Sequence, residues 1–285
     1  MDNHRVALIT DSTCDIPQSL VEGHNIIVIP LHVIWGGETF RDRVDIDPRA
    51  FYRRLVDDPQ YPTTSHPTPD RFGAIFREAL EGGADEIVAI TLSSALSGAF
   101  EAAQQAATTV DHDVHVVDSK GTTMSLGWQV LAAARAREAG GDAQAMIQAA
   151  ENVRDSVVLE VSLDTLEYLH KGGRIGGATK LIGSLLSIKP LVYVDHETGK
   201  VEAGARVRTR KRGLETLHRR FFEQLDTEKR MHIAVMHGDA PKDAEKVAER
   251  IEDEYSPAEL LVEITGPVLG VHTGPGAIAL AGYTE

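Results

Sequence analysis

The 285-residue sequence contains one cysteine and no long uninterrupted hydrophobic run. A single cysteine, Cys14, excludes an intrachain disulfide framework and is consistent with a reducing compartment. The longest apolar candidate, residues 25–35, contains Pro30 and His32 and falls short of the ~18 residues of a membrane span. The first residues lead directly into a strand-like segment rather than a secretory signal. We therefore expect a soluble cytoplasmic protein with no integral membrane segment.

Positive charge is also scarce. The sequence has 29 Lys and Arg residues against 43 Asp and Glu residues, which gives a formal net charge of −14. Such a chain repels phosphate backbones and anionic lipid surfaces, so nucleic acid is a poor partner. The twelve histidines form no H-E-x-x-H or similar ligand spacing, and the glycines match neither phosphate-binding fingerprint. We therefore expect neither a metal site nor a nucleotide cofactor in this chain.

The first half of the chain alternates short apolar runs with longer amphipathic ones, which predicts βαβ units and a mainly parallel sheet. The predicted strands cover residues 5–10, 26–35, 86–92 and 113–119. The predicted helices cover residues 47–58, 68–83, 97–110, 123–141 and 142–156. Because ligands of parallel sheets bind beyond the carboxyl ends of the strands, the loops after residues 10, 92 and 117 should cluster at one edge.

The second half has a different, mixed pattern. Its predicted strands cover residues 157–163, two segments within 185–209, 231–239 and 259–266, and its predicted helices cover 166–177, 210–225 and 241–254. The sequence thus predicts an α/β fold with an N-terminal mainly parallel sheet with flanking helices and a second, mixed α+β domain. We place the boundary near residue 156, which gives domains of residues 1–156 and 157–285.

The segment TLSSALSGAF, residues 91–100, places Ser93, Ser94 and Ser97 between a predicted strand and a predicted helix. The first N–H groups of a helix have no intrahelical partner, so such a turn can bind a carboxylate or phosphate. The same serines can instead cap the helix, and from the turn alone the capping interpretation is favoured.

Two further segments carry candidate ligand groups. PTTSHPTP, residues 62–69, offers Thr64 and Ser65 in a loop made rigid by prolines, although such clusters are often simple polar turns. HTGPG, residues 272–276, places His272 and Thr273 at a predicted strand end, where an imidazole can donate a hydrogen bond to a carboxylate.

The acidic loop DSTCDIP, residues 11–17, carries Asp11 and Asp15 around Cys14. These carboxylates are candidates for a metal or for phosphoryl transfer, but their spacing lacks the D-x-D-x-T pattern, so loop-stabilising hydrogen bonds are favoured. We interpret Cys14 as a small buried residue, since acidic neighbours raise a thiol pKa.

Together these segments resemble the DegV family. The matching stretches occur in the family's order over almost the whole chain: ALITDSTCDIP, TSHPTPDRF, TLSSALSGAFEAA, VVDSKGTTMSLG, LEYLHKGGRI, SIKPLVYVDHETGKVEAGARVRTRKRGLETL and GPVLGVHTGPGAIAL. Two positions depart from the family pattern: His66 stands where Gln is more common, and Ala99-Phe100 replaces the usual Thr-Tyr.

The resemblance implies a two-domain protein that binds one long-chain fatty acid between its domains. The carboxylate would meet hydroxyls of the two Ser/Thr loops, with His272 and Thr273 nearby. Such family members resemble the fatty-acid-binding subunit of bacterial fatty acid kinase, in which a separate ATP-binding subunit phosphorylates the bound carboxylate. The resemblance also makes Arg208, with Arg206 in the same basic segment, the candidate for docking that subunit. It implies no cofactor and no catalytic residue in this chain.

Three alternatives remain. A hydrolase or transferase would use Ser94 or Ser97 as nucleophile and His272 as base on a small anionic substrate. A dihydroxyacetone-kinase-like subunit would bind a small ketone through a histidine. A lipid carrier would act without any kinase.

Overall fold

The computed structural model describes residues 5–181 and 188–285, and three β-sheets organise these residues. The strands, in chain order, are β1 (Val6–Asp11), β2 (Ile26–Ile29), β3 (His32–Trp35), β4 (Glu38–Arg41), β5 (Thr63–Ser65), β6 (Glu86–Thr91), β7 (Val114–Asp118), β8 (Val158–Ser162), β9 (Lys189–Val194), β10 (Val201–Val207), β11 (Met231–His237), β12 (Glu259–Ile264) and β13 (Ile278–Thr284). The helices are α1 (Gln18–Gly23), α2 (Pro48–Asp57), α3 (Pro69–Glu81), α4 (Ala99–Ala107), α5 (Met124–Glu138), α6 (Ala143–Arg154), α7 (Glu167–Lys171), α8 (Arg210–Phe222), α9 (Pro241–Tyr255) and α10 (Pro267–Thr273).

The first sheet is parallel, with the strand order β2-β1-β6-β7. Leu8 of the central strand β1 pairs with Ile26 on one side and with Val88 on the other. Leu8 and its neighbour Ile9 are both buried although they point to opposite faces, as expected for a parallel sheet covered by helices. This confirms the predicted α/β class.

Side-chain caps set the starts of several predicted helices. Asp47 accepts a hydrogen bond from the N–H of Ala50 at the start of α2, where Pro48 occupies the first turn. Thr68 caps α3 and Asp142 caps α6 in the same way. These signals are local to a few residues, so the helix starts were predictable from sequence.

The predicted extended segment 26–35 is wrong as one element, because it contributes to two sheets. Pro30 and Leu31 separate β2, in the parallel sheet, from β3, which forms a small antiparallel sheet of order β4-β3-β5. Proline has no N–H to donate to a sheet ladder, which explains the break.

The second large sheet contains six strands in the order β10-β9-β8-β13-β11-β12, and only the pair β11–β12 is parallel. Successive side chains along its strands point alternately into two hydrophobic cores. Ile278 and Leu280 of β13 face α8 and α9, whereas Ala279 and Ala281 face the core shared with the first half. This sheet therefore separates an outer helical layer from the centre of the molecule.

Two predicted elements differ from the structure. The helix predicted over 166–177 is limited to α7, because Gly172 and Gly173 end it, and a 3₁₀ turn follows at Gly176–Leu181. The segment HTGPG does not end a strand, since His272 and Thr273 lie in the last turn of α10. Residues 185–187 of the predicted segment 185–209 lie outside the described residues.

The chain passes from the parallel sheet to the six-stranded sheet between Asp118 and Val158, through α5 and α6. The main hydrophobic core continues across this point, and the indole N–H of Trp128 in α5 donates to the carbonyl of Ala281. The domain boundary near residue 156 therefore stays a prediction.

Candidate functional site

The loops at the carboxyl ends of the parallel strands converge at one edge, as predicted. Asp11 accepts a hydrogen bond of 2.7 Å from the N–H of Leu92 in the loop after β6. Ser94 of that loop donates to Asp118 at the end of β7, over 2.6 Å. The three loops after β1, β6 and β7 therefore form one connected surface.

Asp15 has a structural role in this surface, as the sequence interpretation favoured. Its carboxylate accepts hydrogen bonds from Thr123 at the start of α5, from the N–H of Gly266 before α10, and from the Arg43 guanidinium. Within residues 5–181 and 188–285, no group of three or more His, Cys, Asp or Glu side chains is arranged to hold a metal ion.

Cys14, between these aspartates, is buried, and burial raises its thiol pKa to about 12. The thiolate is the reactive form of cysteine, so this side chain is inert at neutral pH. The interpretation of Cys14 as a small buried residue is confirmed.

A cavity lies between the six-stranded sheet and the loops of the first half. The volume that the centre of a water-sized sphere can occupy is about 120 Å³. One water needs about 10–15 Å³ on this measure, so the cavity is several times larger than a site for a single water. Most of its wall is apolar, and the wall includes Leu92, Leu96, Leu159, Val161, Val192 and Val194.

One part of the cavity wall is polar and brings together three of the predicted segments. Thr64 and Ser65 come from β5, Ser97 from the loop before α4, and His272 and Thr273 from α10. The Thr64 hydroxyl lies 3.0 Å from Nε2 of His272, within hydrogen-bond distance. Thr64 and His272 are 208 positions apart in sequence, so only the tertiary fold makes this pair.

His272 is held in place from two sides. Its Nε2 meets Thr64, while its Nδ1 lies against the backbone of Gly172, where an added Cβ would stand only 2.1 Å from Nδ1. Burial, and secondarily the nearby charge of Arg174, lower the pKa of His272 to about 4. The imidazole is therefore neutral at physiological pH.

Ser93 and Ser94 have other partners than the cavity. The Ser93 hydroxyl donates to the carbonyl of Gly199 over 2.8 Å, which connects the β6–α4 loop to the β9–β10 turn. Ser94 donates to Asp118, and neither serine belongs to the cavity wall described above. The N-cap position of α4 is Gly98, which provides no side-chain cap, so capping by these serines is limited to the Ser97 hydroxyl, which accepts from the N–H of Ala99 over 3.3 Å. Their part in ligand binding stays a prediction.

Two residues at the polar end were not among the predicted ligands. Arg174 is exposed and lines both the cavity and an adjoining surface groove, and its guanidinium donates to the carbonyls of Leu96 and Gly172. The sequence signal that could have indicated Arg174 is its position between two glycine pairs in HKGGRIGG. His66 also lines the cavity, and a Cβ on Gly98 would lie 2.8 Å from its ring.

The basic segment that runs from the end of β10 into α8 is divided between structural and exposed side chains. Arg210 donates to Asp243 and pairs with Asp164, so it fixes the start of α8. Arg206 and Arg208 are exposed, and Arg206 lies 3.5 Å from the carbonyl of Lys180. For Arg208 the described residues provide no ion pair or hydrogen bond.

The arrangement gives little support to the hydrolase alternative. In the described part of the chain the hydroxyl paired with His272 belongs to Thr64, whereas Ser94 is paired with Asp118. His272 Nδ1, which a third catalytic group would orient, has no hydrogen-bond partner among the described residues.

The fold and the cavity define an α/β protein with a mostly apolar cavity, lined in part by polar side chains, between a parallel and a mixed sheet. A family model described as "Uncharacterised protein, DegV family" matches residues 5–285. A DegV domain-containing protein of Streptomyces coelicolor is 37% identical over 285 residues, which is 98% of each chain. Protein DegV of Bacillus subtilis is 32% identical over 277 residues, or 96% of this chain and 98% of its own. The chain therefore belongs to the DegV family.

Solved structures of the family have the same fold. One is a DegV family protein from Thermus thermophilus that is described as binding fatty acid. It superposes on this chain with a TM-score of 0.92 at 33% identity, over 99% of this chain and 100% of its own. DegV from Bacillus subtilis, described as a fatty acid binding protein, gives 0.91 at 31% identity with the same coverage. A stearic acid-binding protein from Eubacterium ventriosum gives 0.88 at 27% identity, over 99% and 98% of the two chains.

Proposed function

We propose that this protein binds one long-chain fatty acid in the cavity, with the carboxylate at Thr64, Ser65, Ser97, His272 and Thr273. The observation that carries the proposal is the Thr64–His272 pair at a polar part of a mostly apolar cavity. Fatty-acid-binding proteins of the same fold support it.

The apolar wall supplies the binding energy. A ~16-carbon chain has about 14 methylenes, and burial of each contributes about 0.8 kcal/mol, or roughly 11 kcal/mol before costs. Association and ordering remove an estimated 4–15 kcal/mol, so methylene burial and the carboxylate contacts are both needed for tight binding.

Neutral donors hold the carboxylate. Hydroxyls of Thr64 and Ser97 and the neutral imidazole of His272 replace lost water without forming an ion pair. Arg174, at the boundary between cavity and groove, adds a cation on the solvent side. A carboxylate bound in this way keeps its lone pairs available as a nucleophile.

We propose further that the carboxylate is presented to a separate ATP-dependent kinase subunit. There a carboxylate oxygen attacks the γ-phosphorus of ATP, the bond to the bridging oxygen breaks, and acyl phosphate and ADP result. Arg208, with Arg206 beside it, is the proposed docking site, because these exposed cations stand on an acidic chain.

Native mass spectrometry of freshly purified protein, followed by lipid extraction, tests the first step. We expect a one-to-one fatty acid adduct, and we expect Thr64→Val to weaken palmitate binding about tenfold by removal of a donor. Absence of an adduct, together with no uptake of palmitate or oleate, would remove the basis of the proposal.

Charge reversal tests the second step. Arg208→Glu should weaken docking of the kinase subunit and slow acyl phosphate formation, while palmitate affinity is unchanged. Lys229→Glu, an equal change of charge in an exposed turn before β11, is the control. Equal effects of the two variants would show that net charge, rather than Arg208, governs the interaction.

A further inference from the structure

A second polar cluster lines the cavity away from His272. It consists of Thr122 and Thr123 at the start of α5 and Thr265 before α10. All three residues are buried, with 9%, 5% and 7% of their surface exposed. The proposed carboxylate site uses none of them.

The cluster has unused hydrogen-bonding capacity. Oγ1 of Thr122 is buried and has no hydrogen-bond partner among the described residues. The Thr123 hydroxyl donates to Asp15 over 2.7 Å, so its lone pairs remain able to accept. Buried polar groups are nearly always paired in proteins, and an unpaired hydroxyl beside an acyl chain is unfavourable.

Asp15 holds both chain segments that carry the cluster, the start of α5 and the residues before α10. Besides Thr123, it accepts from the N–H of Gly266, the residue after Thr265. Thr123 is held at a φ of 46°, which is rare for a β-branched residue. The two wall segments are therefore set by one buried carboxylate.

We propose that Thr122, Thr123 and Thr265 form a second subsite, which binds a hydroxyl group in the middle of an oxygenated acyl chain. The ligand hydroxyl donates to Thr123 and accepts from Thr122. The inference rests on the proposed function, because the carboxylate at His272 sets the direction of the chain.

The position of that hydroxyl follows from α10. α10 begins at Pro267 and His272 lies in its last turn, so a helical rise of ~1.5 Å per residue covers about 8 Å, and the extended Gly266 places Thr265 farther out, roughly 10 Å or more from His272. Extended covalent chains advance by roughly 1.2 Å per bond, so about eight bonds cover this distance. The preferred hydroxyl is thus near carbon 9 or 10 of the acid.

Competition binding with three acids of equal chain length tests the proposal: octadecanoic acid and its 10-hydroxy and 2-hydroxy derivatives. We expect the 10-hydroxy acid to bind the wild-type protein roughly threefold to tenfold more tightly than octadecanoic acid, the gain of about one hydrogen bond. The 2-hydroxy acid, whose hydroxyl lies at the carboxylate end, should show no such gain.

Substitutions assign the effect to the cluster. Thr122→Val keeps the shape, removes the hydroxyl and should abolish the preference, whereas Thr122→Ser should retain it. Thr10→Val is the matched control, because Oγ1 of Thr10 is also buried and unpartnered among the described residues but lies outside the cavity wall. Thermal melting identifies variants that fail to fold, and Thr122→Ala then replaces Thr122→Val.

The outcomes separate the two proposals. Equal binding of octadecanoic acid and the 10-hydroxy acid by the wild-type protein overturns the second subsite and leaves fatty acid binding intact. A preference that survives Thr122→Val overturns the assignment to Thr122. Failure to bind any of the three acids removes the proposed function, and the subsite with it.

Discussion

The close approach of Gly172 to His272 makes Gly172→Ala a sharp test of the site. The added Cβ would lie 2.1 Å from Nδ1 and 2.8 Å from Cε1 of the imidazole, whereas non-bonded heavy atoms prefer about 3.5–4.0 Å. The ring cannot move away freely, because Thr64 Oγ1 is already 3.0 Å from Nε2. His272 must therefore rotate out of the site, or α7 must shift by more than an ångström.

Both responses have a measurable cost. Overpacking of this kind destabilises proteins by about 1–3 kcal/mol, which thermal melting detects. Loss of one hydrogen bond to a charged group costs about 1.5–3 kcal/mol, so the palmitate dissociation constant should rise roughly tenfold to a hundredfold. Isothermal titration calorimetry measures this change.

A double-mutant cycle isolates the ring as the cause. His272→Ala removes the atoms that the new methyl group meets, so Gly172→Ala should cost no further affinity in that background. Gly23→Ala is the neutral control, because nothing lies within 4 Å of its Cβ position. Wild-type palmitate affinity in Gly172→Ala, or an equal additional loss in the His272→Ala background, would refute the reasoning.

Three further predictions concern buried groups. Burial raises the pKa of Asp42 to about 7, so its contribution to the free energy of unfolding is full below about pH 4 and is lost as pH rises through 7. Asp42→Asn should be more stable than wild type at about pH 8 but not at about pH 5. An equal difference in melting temperature between the two proteins at both pH values would contradict this. Burial lowers the pKa of His272 from 6.5 to about 4. The contribution of its neutral form to the free energy of unfolding is therefore present above pH 6.5 and is lost as pH falls through 4. His272→Gln should thus lose less stability than wild type on acidification in urea titrations, and parallel losses would count against it. Cys14 should not react with an aromatic disulfide reagent in the native protein and should give one equivalent after denaturation, whereas fast native labelling would disprove its burial.

Local sequence signals predicted much of the fold. Asp47, Thr68 and Asp142 mark helix starts because a cap involves only a few consecutive residues. The alternation of apolar runs with amphipathic segments gave the parallel sheet and the edge at which its loops meet. α10 was missed because its seven residues, rich in proline and glycine neighbours, are too short for a helical period to be visible.

The sequence by itself determined the class of fold, the inert cysteine and the segments that carry the candidate ligand groups, since composition, periodicity and capping are properties of the chain. Only the tertiary structure decided which hydroxyls line the cavity. Ser94 and Ser97 stand three residues apart in one loop, yet Ser94 is bound by Asp118 from another strand and Ser97 lines the cavity. That choice depends on partners distant in sequence, as does the meeting of Thr64 with His272, and neither leaves a local signal.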